Sequence, residues 1–473
     1  MRKTKIIATL GPSCGDEKIL RAMVEAGMNG ARFNFSHGSR FEHLRRLRAL
    51  RNASSACKVP VALIQDLPGP KIRVGNLPSP VTVSKGDTIV VTADRGDSSI
   101  PSIGTTYPQM VSELRVGDTI FIDDGAIELR VQKKRDNQLL CRVIQGGKIL
   151  SRKGINLPGA PVTASAFTEE DARHLEWAAE QGFDYAALSF VRGPEEVCKA
   201  RALTKKKKSN IRLIAKIEKP EALSRIDEIL EVSDSIMVAR GDLGIEMGAE
   251  TVPETQKNII RKCIERDKLV ITATQMLSSM VSSPRPTRAE ASDVANAVMD
   301  GTDCVMLSGE TAIGQFPVET VSVMSRIIAE AESYILKNRH AMPTHLSSEP
   351  QISDALCHGA YQTACDIGAK VIGVFTISGA TALVMSKYHP PMTIVGVTTQ
   401  VESLRRMALY RNVYSVRVPR CRYFEDMLRL AEKVILKAGV ARAGDLAVFT
   451  AGTPIGTSGT TNSLHIRRLG ASV

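Results

Sequence analysis

At 473 residues the chain is too long for one hydrophobic core, and 43% hydrophobic with 24% charged residues is a globular composition that implies about two to four domains. No apolar run reaches the roughly 18 residues of a membrane-spanning helix, so no membrane partner is expected. The net charge of +12 favours phosphorylated or polyanionic partners, while the 4% of aromatics do not interleave with the basic residues and argue against a nucleic-acid platform. Nine cysteines without any C-x-x-C spacing fit neither a disulfide framework nor a zinc site, and read as reduced thiols.

The first apolar run, Lys5–Leu10, breaks at Gly11-Pro12 and reads as a strand rather than a secretory signal. Seven more runs follow: Ala31–Phe35, Val61–Asp66, Ala186–Phe190, Ile211–Glu218, Ser235–Asp242, Leu269–Met276 and Cys304–Glu310. Most precede a stretch of helical periodicity, so the pattern predicts a (β/α)8 barrel, a TIM barrel in the α/β class. The one long gap lies between Asp66 and Ala186. A helix over Thr168–Glu180 fills its end. The rest, Lys71 to Pro161, predicts an inserted small β domain with strands Val81–Val83, Thr88–Thr92, Thr119–Ile122, Ile127–Val131 and Leu139–Val143. Placed after the third barrel strand, it would cover the barrel mouth as a lid. The basic run Lys205–Lys208 closes the helix before Ile211, where cations offset the helix dipole, and reads as a solvated cap.

After the last barrel strand, Pro317–Asn338 predicts a long helix and 341–350 a Pro-containing linker. A helix over Ser353–Ile367, strand Val371–Thr376, a helix after Gly379, and strands Thr393–Val397 and Leu446–Thr450 predict a C-terminal α/β domain. The expected division is barrel 1–70 and 162–340, lid 71–161, and C-terminal domain 341–473.

In a TIM barrel, chemistry sits where the strands end. Those ends carry Arg32, Asn34, Asp66, Ser189, Lys216, Glu218, Asp242 and Thr274. Lys216 and Glu218 are two apart on one strand and so share a face. Glu218 and Asp242, from adjacent strands, can share a hard cation such as Mg²⁺ with waters and substrate oxygens. The competing reading is a structural salt bridge of Lys216 with one of these acids. Arg32 and Arg73 suit a phosphoryl group, because guanidinium forks match its oxygens. The backbone around Arg240-Gly241-Asp242 can form an anion-binding turn for a carboxylate, or an ordinary tight loop.

Eight segments carry a resemblance over essentially the whole chain: Lys5–Pro12, Ala31–Gly38, Asp66–Arg73, Ile155–Gly159, Ile214–Glu218, Ile236–Gly244, Ala273–Leu277 and Leu307–Ala312. With them the chain resembles the pyruvate kinase family, whose architecture is a barrel, a β lid after strand three and a C-terminal regulatory domain. The resemblance implies a cytoplasmic homotetramer that transfers the phosphoryl group of phosphoenolpyruvate to ADP in glycolysis. It implies Glu218 and Asp242 as ligands of Mg²⁺ or Mn²⁺, and Arg32 and Lys216 as the groups that stabilise charge on the phosphoryl. Gly241 and Asp242 would position the substrate carboxylate, with Thr274 near the enolate methylene. Asn34, His37, Arg73 and Lys153 match nucleotide-side positions.

Two departures from the family pattern carry information. Many members hold K⁺ at positions matching Asn34, Ser36, Asp66 and the carbonyl of Leu67. Here Leu67, Pro68 and Lys71 replace the commoner Thr, Lys and Glu. A lysine at 71 resembles members that work without K⁺: its ammonium supplies the positive charge, so K⁺ should be dispensable; the alternative is that Lys71 points to solvent and K⁺ still binds. In the C-terminal domain, Thr376, Ser378 and Thr381 offer hydroxyls for a phosphorylated effector, and Gly452–Gly459 is placed to close over it. Ile377 and Ala380 stand where basic residues are often found, which favours a sugar monophosphate or a nucleotide over a bisphosphate.

Overall fold

The eight apolar runs pair as parallel strands around a closed barrel in the computed structural model, which describes residues 2–93, 100–135, 137–160, 163–338, 351–421, 423–453, 459 and 461–471. The strands are Lys5–Thr9, Met28–Asn34, Ala62–Asp66, Tyr185–Leu188, Arg212–Ile217, Ser235–Ala239, Leu269–Ala273 and Cys304–Leu307, with the first closing against the last. Six of them are buried at every position, as expected where helices cover one face and barrel side chains fill the other. The helices begin where short polar side chains cap the free N–H groups. Ser39 with Glu42, Thr168 with Asp171 and Thr287 with Glu290 each form a reciprocal cap.

Three strands end three residues short of expectation, the seventh at Ala273 instead of Met276. The sixth strand stops at Ala239 instead of Asp242, and the chain turns at once into a helix, Arg240–Met247. Pairing ends there because the neighbouring strand leaves the sheet: Ala239 is level with Ala273, and the next residues, Thr274 and Gln275, have φ of 69° and 53°. The eighth strand likewise stops at Leu307, and Gly309–Ala312 is one helical turn.

The insertion is a six-stranded sheet plus a two-stranded ribbon around its own apolar cluster. The five expected strands are present, two of them longer, as Ile127–Arg135 and Gln138–Gln145. Three more, Ser102–Gly104, Gly147–Ile149 and Ile155–Asn156, are too short to show periodicity in a sequence.

The C-terminal domain has five strands in the order Val413–Arg417, Thr393–Thr398, Val371–Phe375, Leu446–Gly452, Thr461–Arg468, the last antiparallel. The first and last of these, and the helix Phe424–Lys437, were not anticipated. The expected linker 341–350 lies outside the described residues. This domain packs under the barrel. Arg405 donates to both carboxylate oxygens of Asp184 at 3.0 Å, and Lys5 donates to the carbonyl of Val413 at 2.8 Å.

Candidate active site

The C-terminal ends of the second, third and fifth strands bring four charges into direct contact. Arg32 donates through Nε to Asp66 Oδ2 at 2.6 Å and through Nη1 to Thr9 Oγ1 at 3.0 Å. Lys216 Nζ lies 3.2 Å from Asp66 Oδ1 and 2.9 Å from Glu218 Oε1, and donates to Ser189 Oγ at 2.7 Å. Ser189 Oγ in turn donates to the carbonyl of Leu67 at 2.8 Å. The other oxygen of Glu218 accepts from Phe190 N at 2.7 Å, from a residue held at φ 57°. Same-face placement of Lys216 and Glu218 thus holds, and the competing salt bridge of Lys216 is present within the same cluster.

Burial sets the electrostatics. Asp66 and Glu218 are each 1% exposed. Burial pushes the Asp66 carboxyl up, but Arg32 and Lys216 outweigh it and hold the group below the usual carboxylate range. Burial alone would pull the Lys216 ammonium down, yet Asp66 and Glu218 raise it above an ordinary lysine, so it stays charged at any physiological pH. Glu218 goes the other way: burial raises it, Lys216 offsets part of that, and Asp242 adds repulsion.

Asp242 therefore stands near Glu218, and among the described residues its carboxylate has no hydrogen bond or ion pair. The cluster holds cations Arg32 and Lys216 against carboxylates Asp66, Glu218 and Asp242, which leaves an excess of negative charge. That donor set fits a hard divalent cation that keeps several of its own ligands. No group of three or more His, Cys, Asp or Glu side chains stands ready for a metal among the described residues, so such an ion would be completed by water and substrate oxygens.

Thr274 is held in a conformation that a β-branched residue rarely adopts, with φ 69°. Its Oγ1 donates to Ala273 O at 2.6 Å and accepts from Gly241 N at 2.7 Å. Arg240 clamps the same turn, donating to Thr274 O at 2.8 Å and Ala273 O at 3.2 Å, and is itself fixed by Asp293 at 2.6 Å. The expected turn at 240–242 is thus the first turn of a helix. An anion there would meet a helix N-terminus, and the Gly241 N–H is already committed to Thr274.

Around the mouth, the remaining residues are less closely gathered. Arg73, Lys71 and Arg32 all lie near the exposed His37, whose imidazole is pulled down first by partial burial and then by these three cations. Asn34 Oδ1 accepts from Ser36 N at 3.1 Å. Lys71 is exposed and lies against the lid, where a Cβ on Gly154 would stand 3.6 Å from its Cε. Among the described residues it makes no ion pair, and Asp66 is paired by Arg32 and Lys216 instead. The lid places Lys153 beside Arg73, which bridges Gly154 and donates to Arg152 O at 2.9 Å, while Lys153 pairs with Asp123 at 2.8 Å. A cavity of about 290 Å³ between lid and barrel is lined by Lys71, Ile155, Phe190, Lys219 and Asp242 among others.

The C-terminal residues form a separate place. Thr376, Ser378 and Thr381 line a cavity of about 380 Å³ together with Gly452 and Gly459. Thr376 Oγ1 accepts from Gly379 N at 3.0 Å, and the Thr381 hydroxyl is shared with Thr461 at 2.8 Å. Residues 454–458 of the expected closing segment lie outside the described residues. Arg420 also lines this cavity and supplies a cation that sequence reasoning missed. Ser189 and Arg240 were legible only as polar residues at strand ends. Their roles depend on carbonyls contributed by other strands.

Two family models match: "Pyruvate kinase, barrel domain" over residues 1–321 and "Pyruvate kinase, alpha/beta domain" over 354–467. A pyruvate kinase of Geobacillus stearothermophilus is 41% identical over 470 residues, covering 98% of this chain and 80% of the relative. One from Clostridium perfringens is 39% identical over 487, covering 99% and 100%. The crystal structure of a pyruvate kinase from Cryptosporidium parvum superposes with a TM-score of 0.92 at 36% identity, covering 99% of this chain and 96% of that one.

Proposed function

The chain belongs to the pyruvate kinase family, a group of phosphotransferases that move the phosphoryl group of phosphoenolpyruvate to ADP to give ATP and pyruvate, and from that premise we propose how its own residues divide the work. Phosphoryl transfer needs positioning and charge neutralisation more than covalent chemistry. Lys216 and Arg32 are the catalytic cations: both are anchored by Asp66 at the strand ends, where their charge would neutralise the phosphoryl oxygens. Glu218 and Asp242 hold the divalent cation, Mg²⁺ or Mn²⁺, which when bound draws charge off the phosphoryl and enolate oxygens.

The helix N-terminus at Gly241-Asp242 receives the substrate carboxylate. Thr274 faces the enolate carbon, and protonation there requires its hydroxyl to give up the bond to Ala273 O or to relay through water. Asn34, His37 and Arg73 bind the nucleotide, with Lys153 delivered when the lid closes and its pair with Asp123 opens.

The chain divides functionally into barrel 1–70 and 162–340, lid 71–161 and regulatory domain 341–473. The cavity at Thr376, Ser378 and Thr381 takes a phosphorylated effector. Arg420 removes the reason for preferring a monophosphate there. The working form is a cytoplasmic homotetramer; no helix among the described residues is long and apolar enough to cross a membrane.

The observation that carries this reading is the imbalance of three carboxylates, two at strand ends and Asp242 in the helix that follows the sixth strand, against two cations, with Asp242 unpaired beside Glu218. The test is Glu218→Gln and Asp242→Asn. Each is expected to lose most turnover in a lactate-dehydrogenase-coupled assay and to bind Mn²⁺ more weakly by electron paramagnetic resonance, with circular dichroism unchanged. Near-normal turnover in either variant at ordinary Mg²⁺ would sink the metal assignment.

A further inference from the structure

The basic run Lys205–Lys208 plays no part in the chemistry above. Lys205 stands in the last turn of the helix Pro194–Lys206, on the rim of a third cleft of about 390 Å³. This cleft lies in the seam between the N-terminal end of the fifth barrel strand and the C-terminal domain helix Val401–Arg406. It is distinct from the lid cavity and shares only Ile377, Ser378 and Gln400 with the cavity of the C-terminal domain.

Its charge is one-sided. Arg201, Lys205, Arg212 and Arg406 line it, against Glu402 as the acid in the wall. Asp234 lies behind Arg201 and Arg212, at 2.7 and 2.9 Å, and neutralises only one of the two. Lys205 is exposed and, among the described residues, has no ion pair. Arg406 is 5% exposed; its Nη2 donates to Asn210 O at 2.5 Å, while its Nε is buried with no acceptor. A buried guanidinium donor without an acceptor is costly. Together with the unpaired Lys205 ammonium on the same cleft, it describes a place that lacks an oxyanion.

We propose that this seam is a second anion site, and that it takes a small phosphomonoester held by Arg406 and Lys205, with Arg201 supporting. Guanidinium and ammonium donors that line one cleft from two domains suit the three oxygens of a phosphate better than a planar carboxylate. Because Ile377 and Ser378 wall both cavities, an occupant here presses on the same loop as an occupant of the C-terminal cavity. The two occupancies are therefore thermodynamically coupled, each altering the affinity of the other by the same factor.

The test is calorimetric titration of the full chain at low salt with inorganic phosphate and with glycerol 3-phosphate, in parallel on Lys205→Glu, Arg406→Gln and Arg420→Met. The parent is expected to show a binding component that weakens by about tenfold or more in Lys205→Glu and Arg406→Gln, as loss of a charge-assisted contact should. Arg420→Met should retain that component, and Lys205→Glu should keep parental turnover in phosphate-free buffer. Lys205 is exposed, so its variant decides the question if Arg406→Gln fails to fold. Binding unchanged in Lys205→Glu, or lost in Arg420→Met instead, overturns the seam site. Tight binding of glycerol 3-phosphate but not inorganic phosphate to this component marks the ester as the ligand; the reverse order overturns the phosphomonoester assignment.

Discussion

Lys216 contacts Asp66, Glu218 and Ser189 at once, and its ammonium is fixed before any substrate arrives. A group held in this way acts on charge that develops during transfer, so its loss should lower kcat more than it raises KM. Lys216→Met is expected to reduce kcat by about 10²–10³-fold, the size of effect seen when a preorganised donor is removed. Steady-state kinetics with varied phosphoenolpyruvate decide: a change confined to KM would make Lys216 a binding group only. Lys71 is the complementary case. It shares the mouth with Arg73 and His37 but does not pair with Asp66. A K⁺ ion near it would meet a repulsion of about 4 kcal/mol at ~4 Å and an effective dielectric near 20. Turnover in a buffer with only a bulky organic cation should therefore be close to turnover with K⁺, and Lys71→Glu should create a K⁺ requirement. Strong stimulation of the parent by K⁺ refutes the charge-replacement argument.

The helix Arg40–Cys57 follows the second strand and closes over its end through His43, which stacks on Phe35 with ring centroids 4.3 Å apart and an interplanar angle of 11°. Burial, and then Arg46, pull the His43 imidazole down to about 4. The folded protein thus keeps His43 neutral where the unfolded chain, with an ordinary value near 6.5, takes up a proton. Stability is fully retained above about pH 6.5 and lost as the pH falls towards 4, with a slope of at most about 1.4 kcal/mol per unit. The lowered Asp66 carboxyl acts further down, since its contribution is present above its ordinary range and disappears only below it. His43→Phe should flatten the dependence of the thermal midpoint on pH between 6.5 and 4, and an unchanged slope would show that another group dominates. This element also marks how far a sequence can be read. The barrel strands were legible because a parallel strand buried on both faces is a continuous apolar run, as in Ile6-Ile7-Ala8. The edge strand Thr461–Arg468 was not, because its polar residues show no such run. The polar residues at strand ends were visible, but pairing of Lys216 with both Asp66 and Glu218 depends on strands brought together by barrel closure. The Gly241 N–H looked free in sequence and is taken by a hydroxyl 33 residues away.

Barrel and C-terminal domain share one interior. Ile7, Ile64 and Met237 from the barrel lie in the same apolar cluster as Met385, Met407 and Leu409 from the domain beneath it. The domains are therefore joined by core packing as well as by surface contacts, and a shift of one changes the support of the other. Asp184 shows how: it takes Arg405 of the C-terminal domain and accepts from Leu63 N at 2.9 Å, on the strand that ends at Asp66. A physical line thus runs from the domain that carries the effector cavity to the strand that anchors Arg32 and Lys216. A fully buried tie is Lys387–Asp303, an ion pair at 2.5 Å in which neither side chain is exposed. Asp303 Oδ2 also accepts from Val270 N at 2.8 Å, so the carboxylate is needed by the barrel whether or not the lysine is present. Removing one partner of such a pair leaves a buried charge uncompensated, which costs about 3–5 kcal/mol, whereas replacing both can be nearly neutral. Lys387→Met should accordingly lower the urea midpoint sharply. Lys387→Met with Asp303→Asn should recover most of that loss, because asparagine still accepts from Val270 N without carrying charge. The double-mutant cycle in urea unfolding measures this coupling. If the two changes simply add, the pair does not hold the domains together through charge, and the shared apolar cluster carries the junction alone.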